Sequence, residues 1–396
     1  MISKNTSIDI SYIINELGEE RENYFNAIAP PIMQTSNFAF KTVHEMRKAF
    51  EDEYSTYLYS RGLNPTVDIL RKKLAALDRA EDCLIFNSGA AAIFAAVLAN
   101  VKSGDHIVSV DKPYTWAQKM FNDILPRFNV SVTYIDGTDI RNFERAILPH
   151  TSVIYLESPN SWNFAIQDMK AIAELARSEN IITICDNSYC TPIYQRPIEM
   201  GIDLVLQSAT KYISGHSDVV AGVLSGRAEM IKKIFNSEYM NIGSGIQPFN
   251  AWLLIRGLRT LPARLDRITN TTEKVMAYLK QDSRIESLIF PLDPSFSQFE
   301  LAISQMSGAC GLLTMVLKAQ SIDQIENFCE SLKHILMAVS WGGHESLIIP
   351  KCSSIDPKDF DVNNVEHRML RLYVGLEDAD YIIRDIDQAL IKAFDN

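Results

Sequence analysis

Paired or clustered cysteines are missing from this 396-residue chain. Its six cysteines, at positions 83, 185, 190, 310, 329 and 352, form no Cys-x-x-Cys pair and do not cluster with the seven histidines. Neither a disulfide framework nor a zinc site is indicated, no metal is expected, and the thiols are expected as reduced core residues. Long apolar runs are missing too: the longest, Ala90 to Ala99, is about half of what a membrane span needs. The polar opening MISKNTS carries no apolar stretch of the signal-peptide kind, so the cytoplasm is the expected location. Positive charge is in deficit, with 38 Lys and Arg against 49 Asp and Glu for a net charge of −11. General affinity for nucleic acid or anionic lipid is therefore not expected, and the partner should be a small molecule or another subunit. With 47% apolar and 22% charged residues the composition is that of an ordinary globular protein, which excludes a disordered, collagenous or coiled-coil chain. The length suffices for more than one domain and a large core.

Between residues 84 and 224 one theme repeats: a short apolar or β-branched run, a turn, then a helical stretch. The runs are Leu84–Phe86, His106–Val110, Val130–Ile135, Val153–Leu156, Ile181–Cys185, Leu204–Leu206 and Val219–Leu224. Segments between them, such as the one carrying Met169, Ile172, Ala173 and Ala176, place apolar residues at helical spacing. This alternation predicts an α/β domain with a seven-stranded, mostly parallel sheet. Residues 1–60 hold few strand-like runs, and NAIAPPIMQTSNF reads as extended because proline disfavours helix before it. A long helical stretch is predicted from Ala251 towards Lys280, interrupted near Gly257 and Pro262. Beyond it, strands are expected at Leu312–Leu317 and Leu370–Val374, then a last helix with Ile382, Ile386, Leu390 and Phe394 on one face. The expected organisation is an arm (1–60), an α/β domain (61–255) and a smaller α+β domain (256–396).

In open α/β sheets ligands bind at the carboxyl ends of strands, so polar residues there carry the chemistry. Leu84-Ile85-Phe86 turns through Asn87-Ser88-Gly89 into a helix whose small first residues leave backbone N–H groups accessible. A phosphate could sit there on amides and the helix dipole, or the segment is an ordinary strand-to-helix turn. Asp186 ends one strand and Lys211 follows another. A carboxylate and an amine at neighbouring strand ends suit pyridoxal phosphate: the lysine takes the aldehyde and later moves protons, and the carboxylate keeps the pyridine nitrogen protonated. The alternative is a structural salt bridge. Ser208-x-x-Lys211 also matches the serine–lysine motif of penicillin-binding proteins and class A β-lactamases, but the Ser-Asp-Asn and Lys-Thr-Gly that those enzymes need are absent. Arg371, inside an otherwise apolar strand, either forks onto a carboxylate or faces water from an edge strand.

The segments IAPPIMQTSNF, YSRGLNPT, FNSGAAAI, GDHIV, YLESPNS, ICDNSYCTPIYQRP, QSATKYISGHSD, RGLRTL, SWGGHESL and RLYVGLED run in order through nearly the whole chain. Together they resemble the Cys/Met metabolism family of pyridoxal-phosphate enzymes, which holds cystathionine γ-synthases, cystathionine β- and γ-lyases and methionine γ-lyases. The resemblance implies the aspartate aminotransferase type of fold (fold type I) and a homotetramer built from two tight dimers. It implies that Lys211 carries the cofactor, that Asp186 pairs with the ring nitrogen, and that Ser88 frames the phosphate turn made by Gly89 and Ala90. Ser208 and Thr210 would also reach the phosphate, and Tyr59 and Arg61 would bind that of the neighbouring subunit. Tyr114 would stack on the ring and assist proton movement, and Arg371, with the Ser340 and Trp341 region, would hold the substrate and its α-carboxylate.

The chain departs from the family pattern where most members carry Asn-Pro after Glu-Ser-Pro-x; here Asn160 comes early and is followed by Ser161 and Trp162. Bacterial cystathionine β-lyases share the serine, together with the Gly89–Ala92 and Ser340–Gly343 segments, which tilts the expectation towards β-elimination. YSRGLNPT and DNSYCTP are more similar to the γ-lyases, and Trp116 matches neither group. Val339 lacks the acidic side chain often found before this serine, so an uncharged thioether end would suit it. The expected activity is a carbon–sulfur lyase of sulfur amino-acid metabolism, releasing pyruvate, ammonia and a thiol. The alternatives are γ-elimination, γ-replacement on an activated homoserine and, more distantly, cofactor binding without turnover.

Overall fold

The computed structural model describes residues 9–394, so the polar opening at 1–7 lies outside the described residues. It divides into two compact units. The first holds the described residues up to 158 with 167–210 and 218–259, and the second holds 159–166, 211–217 and 260 onward.

In the first unit all seven expected strands form: β1 (Asp82–Phe86), β2 (His106–Val110), β3 (Ser131–Ile135), β4 (Thr151–Glu157), β5 (Ile182–Asp186), β6 (Leu204–Gln207) and β7 (Gly222–Gly226). They lie in the order β1-β7-β6-β5-β4-β2-β3. From β3 to β6 every pairing is parallel, whereas β7 runs antiparallel to both β1 and β6. Alternate residues feed two cores. Ile107, Val153, Tyr155, Leu204 and Leu206 belong to one, and Val108, Val110, Ile154, Leu156 and Val205 to the other. Burial on both faces is why these strands read as continuous apolar runs. β7 starts three residues later than its apolar run because Ala221 is engaged elsewhere, accepting from the Thr210 N–H at 3.2 Å and donating to Thr210 Oγ1 at 2.9 Å.

The first sixty residues contain α1 (Ile10–Asn15) and α2 (Val43–Glu51), and residues 26–40 hold neither helix nor strand beyond a single bridge from Asn37 to Tyr59. The expected arm is thus part of the first unit. The carbonyl of Pro30 accepts from Trp252 Nε1 at 2.9 Å, and Met33 donates to Thr66 Oγ1 at 2.9 Å. α3 (Pro65–Asp78) opens on an Asn64 cap with proline at its first position, where the missing N–H costs nothing. From α3 the Lys73 ammonium, fully buried, reaches the carbonyls of Ile13 and Ile14 and pairs with Glu19 at 3.0 Å, which fixes α1. The boundary between the units falls after Arg259, four residues beyond the expected one. Helix Pro248–Arg259 runs unbroken through the buried Gly257, and the interruption is at Thr260, where Pro262 enters the first turn of the next helix, Leu261–Leu279.

The second unit is an α+β fold on a five-stranded sheet of β8 (Ile285–Ile289), β9 (Leu312–Leu317), β10 (Leu336–Met337), β11 (Leu347–Pro350) and β12 (Met369–Tyr373), in the order β10-β11-β12-β9-β8. Helix Ala379–Phe394 buries Ile382, Ile386 and Leu390, with Phe394 half-buried at its end. All six cysteines are buried, and none is in a disulfide. Among the described residues no helix is long and apolar enough to cross a membrane, and no group of three His, Cys, Asp or Glu side chains could hold a metal ion.

Candidate active site

In the first unit the expected residues gather at the carboxyl ends of β1, β4, β5 and β6. After β1, Ser88 caps α4 (Gly89–Leu98) by accepting from the Ala91 N–H at 3.1 Å. The N–H groups of Gly89 and Ala90 have no intrahelical partner there, as the first amides of any helix do not, and the helix dipole favours an anion in front of them. A Cβ on Gly89 would sit 3.1 Å from Ser208 Cβ and 3.3 Å from its hydroxyl, so only glycine leaves this gap open. The Ser208 amide is already spent on Ser188 Oγ at 2.7 Å, which fixes the backbone that presents the Ser208 hydroxyl. Thr210 is committed differently: its hydroxyl donates to Ala221 O at 3.2 Å, a bond it would have to release to serve a phosphate.

Asp186, the last residue of β5, is buried, and its Oδ1 accepts from the Ser188 N–H at 2.9 Å. Its register partner on β4 is Glu157, whose Oε2 accepts from the Tyr114 N–H at 2.5 Å. Burial, then the negative charges of Asp186 and Glu157, push the Tyr114 phenol above its ordinary range. At neutral pH the phenol therefore keeps its proton and can donate it. Glu157 was not singled out from sequence, although it shows the signal that marked Asp186: a carboxylate closing an otherwise apolar strand. Trp116 is exposed beneath Lys119, whose Nζ stands 4.8 Å from the ring centre. Tyr59, exposed, has Arg61 at 5.5 Å over its ring. Among the described residues neither is hydrogen-bonded to the Gly89 turn, Ser208 or Thr210.

The second unit brings together Lys211, Ser340, Trp341 and Arg371. Lys211 Nζ donates to Ser340 Oγ at 2.6 Å and lies 4.6 Å from the centre of the Trp341 ring. The Ser340–Gly343 turn is shaped for this contact. Ser340 itself holds φ at 85°, a strained left-handed conformation of the kind that gathers at functional sites. Gly342 has φ at 87°, and a Cβ there would come within 2.6 Å of the Tyr212 nitrogen and 2.7 Å of the Lys211 carbonyl carbon. Glycine is required on both counts.

Arg371 does not lie on an edge strand. β12 is central, with Arg371 between Ile349 of β11 and Thr314 of β9, and the side chain is buried. The water-facing alternative falls with that topology. Trp162 and Trp341 each stand 5.0 Å from the guanidinium carbon, and Nη1 lies 3.4 Å from Ser161 O and 3.5 Å from Ser161 Oγ. Asn160 Oδ1 accepts from the Trp162 N–H at 3.0 Å, so this asparagine shapes the turn that presents Ser161 and Trp162. The Trp341 indole N–H is buried with no acceptor among the described residues.

Each unit carries donors of the kind that pyridoxal phosphate needs: the first a glycine-walled cradle of two amides and a serine hydroxyl and a buried carboxylate, the second a lysine amine held by hydroxyl and indole. Comparison with known proteins agrees. The family model described as Cys/Met metabolism PLP-dependent enzyme matches residues 12–391. An L-methionine γ-lyase of Treponema denticola is 37% identical over 378 residues, covering 94% of each chain. The crystal structure of metB from Corynebacterium glutamicum superposes with a TM-score of 0.88 at 30% identity, covering 96% of this chain and 97% of the other. A putative O-acetylhomoserine (thiol)-lyase from Campylobacter jejuni, carrying a pyridoxyl-lysine phosphate at its position 205, gives 0.90 at 25% identity over 97% of this chain and all of its own.

Proposed function

The chain belongs to the Cys/Met metabolism PLP-dependent enzymes, and from that premise we propose that it is a carbon–sulfur lyase acting on an L-amino acid with sulfur in its side chain. The observation that carries this is the 2.6 Å bond from Lys211 Nζ to Ser340 Oγ, in the turn whose tryptophan also meets Arg371. Bound pyridoxal phosphate would supply the electron sink that makes the substrate Cα proton acidic. Lys211 would carry the cofactor, and its Nζ, aimed by Ser340, would take the Cα proton. Arg371 forks onto the α-carboxylate and anchors the substrate. Asp186 would hold the pyridine nitrogen protonated, and Gly89, Ala90 and Ser208 would hold the phosphate, with Thr210 beside them. Tyr114, kept protonated by its acidic neighbours, donates to the departing sulfur.

β-Elimination on a cystathionine-like substrate, giving pyruvate, ammonia and a thiol, is the favoured reaction, because Ser161 and the Ser340–Gly343 turn, which the chain shares with bacterial cystathionine β-lyases, supply the oxygen and the ring that stand against Arg371. γ-Elimination is the second reading, favoured by the identity to an L-methionine γ-lyase. Incubation of cofactor-loaded protein with L-cystathionine, with the keto acid identified by mass spectrometry, separates them. Pyruvate with homocysteine is the expected pair; 2-oxobutyrate with cysteine overturns the β assignment, and no keto acid from either L-cystathionine or L-methionine overturns the lyase.

The protein is further proposed to act as a cytoplasmic homotetramer in which Tyr59 and Arg61 serve the phosphate of a neighbouring copy. Support comes from α2, which leaves Val43 74% and Phe50 65% exposed, and from the exposed Phe25 and Ile28 before it, apolar side chains that a subunit contact would cover. Light scattering after size exclusion tests this, a monomer being the refuting result.

A further inference from the structure

Five side chains of the second unit contact one another in a row where cation and indole alternate. Lys211 Nζ is 4.6 Å from the Trp341 ring, Trp341 5.0 Å from the Arg371 guanidinium, Arg371 5.0 Å from Trp162, and Trp162 4.4 Å from Lys351 Nζ. Lys211, Trp341 and Arg371 have their places in the proposed reaction. Trp162 has none, and it stands where most of the family carries proline.

The chain invests in its placement. The Trp162 N–H donates to Asn160 Oδ1 at 3.0 Å, and its carbonyl accepts from Thr314 Oγ1 at 2.7 Å. Thr314 is the residue paired with Arg371 across β9 and β12, so the strand beside the arginine also anchors the tryptophan. A proline at 162 would have neither an N–H for Asn160 nor an aromatic face for the guanidinium. Arginine is flat and weakly hydrated over its faces, and it stacks on indoles while keeping its N–H donors for in-plane partners. An arginine with rings on two sides is pre-organised, and a carboxylate meeting it pays less side-chain ordering on binding.

We propose that Trp162 is a positioning residue for substrate recognition: it fixes the Arg371 guanidinium with Trp341, so that the site selects amino acids bearing a free α-carboxylate. This rests on the proposed role of Arg371. Carboxylate binding is made equally in the ground and transition states, so its loss appears in KM and not in kcat.

The experiment uses Trp162→Ala, Trp162→Leu and Trp162→Phe in the holoenzyme, with Arg371→Lys as reference, assayed on the L-amino acid that the wild type turns over and on its α-carboxamide. Trp162→Ala and Trp162→Leu should each raise KM about ten-fold with kcat within about two-fold, and should shrink the preference for acid over amide by about the same ten-fold. Trp162→Phe, which restores a ring face, should recover most of both. Leucine fills the space without offering a face, so a Trp162→Leu enzyme with wild-type KM and preference overturns the proposal. If the alanine variant fails to fold, the leucine and phenylalanine pair still decides. Failure of the underlying reading looks different: an Arg371→Lys enzyme with unchanged KM and acid preference removes the carboxylate role of Arg371 itself. A damaged Arg371→Lys beside an undamaged Trp162→Leu removes only the role of Trp162.

Discussion

Replacing Asp78 by asparagine should stabilise the protein at neutral and alkaline pH. Asp78 closes α3 and is 1% exposed; its Oδ1 accepts from Gln207 Nε2 at 2.6 Å and its Oδ2 from Ser225 Oγ at 2.6 Å. The cation that acts on it, Arg196, has its Nε bound to the Leu77 carbonyl at 3.1 Å. Burial therefore dominates over the two hydrogen bonds and pushes the carboxyl up from 3.8 to about 7. A folded-state value above the unfolded one means that the native state binds the extra proton. Stability is then highest below the unfolded pKa of about 4, falls as pH rises towards 7, and stays low above it. At 1.36 kcal/mol per unit, three units amount to about 4 kcal/mol. Asparagine has the same shape, offers Oδ1 to Gln207, and turns its Nδ2 to Ser225 Oγ, which can accept as well as donate. The two hydrogen bonds to the carboxylate are already contained in the raised value, so a gain of up to about 4 kcal/mol is expected at pH 8, closing towards pH 5. Urea midpoints by circular dichroism at pH 5, 6, 7 and 8 read this difference. A variant less stable than wild type at pH 8, or one with the same pH slope, refutes the reasoning.

Lys211→Ala should abolish cofactor-dependent turnover, and near-normal release of keto acid from that variant would sink the assignment of the lysine. Gly342→Ala should lower kcat by about a hundred-fold or more, since a Cβ at a φ of 87° meets the Tyr212 nitrogen and shifts the turn that holds Lys211 Nζ; a variant with wild-type kcat would show the turn to be tolerant. Lys73→Ala leaves the fully buried Glu19 with Arg259 at 2.9 Å and Arg21 at 3.5 Å and uncaps the Ile13 and Ile14 carbonyls. A loss of about 3 kcal/mol is expected in urea unfolding, and a shift under about 1 kcal/mol would mean that the two arginines suffice.

What could be read in the sequence follows from where its information is local. The inner strands of the first sheet are buried on both faces, so each appears as a mostly apolar run, and the polar residue that stops it marks the strand end where ligands bind in such sheets. Asp186 and the Ser88–Gly89 turn were legible for that reason, and Glu157 carries the same mark. The second sheet hides its strands: β10 has two residues, β11 ends on Pro350, and β8 exposes Glu286 and Ser287. With β10 and β11 unrecognised, β12 had no neighbour on that side, and an arginine in an apolar strand could not be told from one at an edge. Pairing to both Ile349 and Thr314 decides it, because a buried guanidinium on a central strand needs companions. Those companions come from positions 161, 162 and 341, too far apart for any periodicity to join them to 371. Trp162 had no signal of its own, being an aromatic in a loop, and its meaning comes only from the strand that places Thr314 beside Arg371 and so draws the loop and its ring onto the guanidinium.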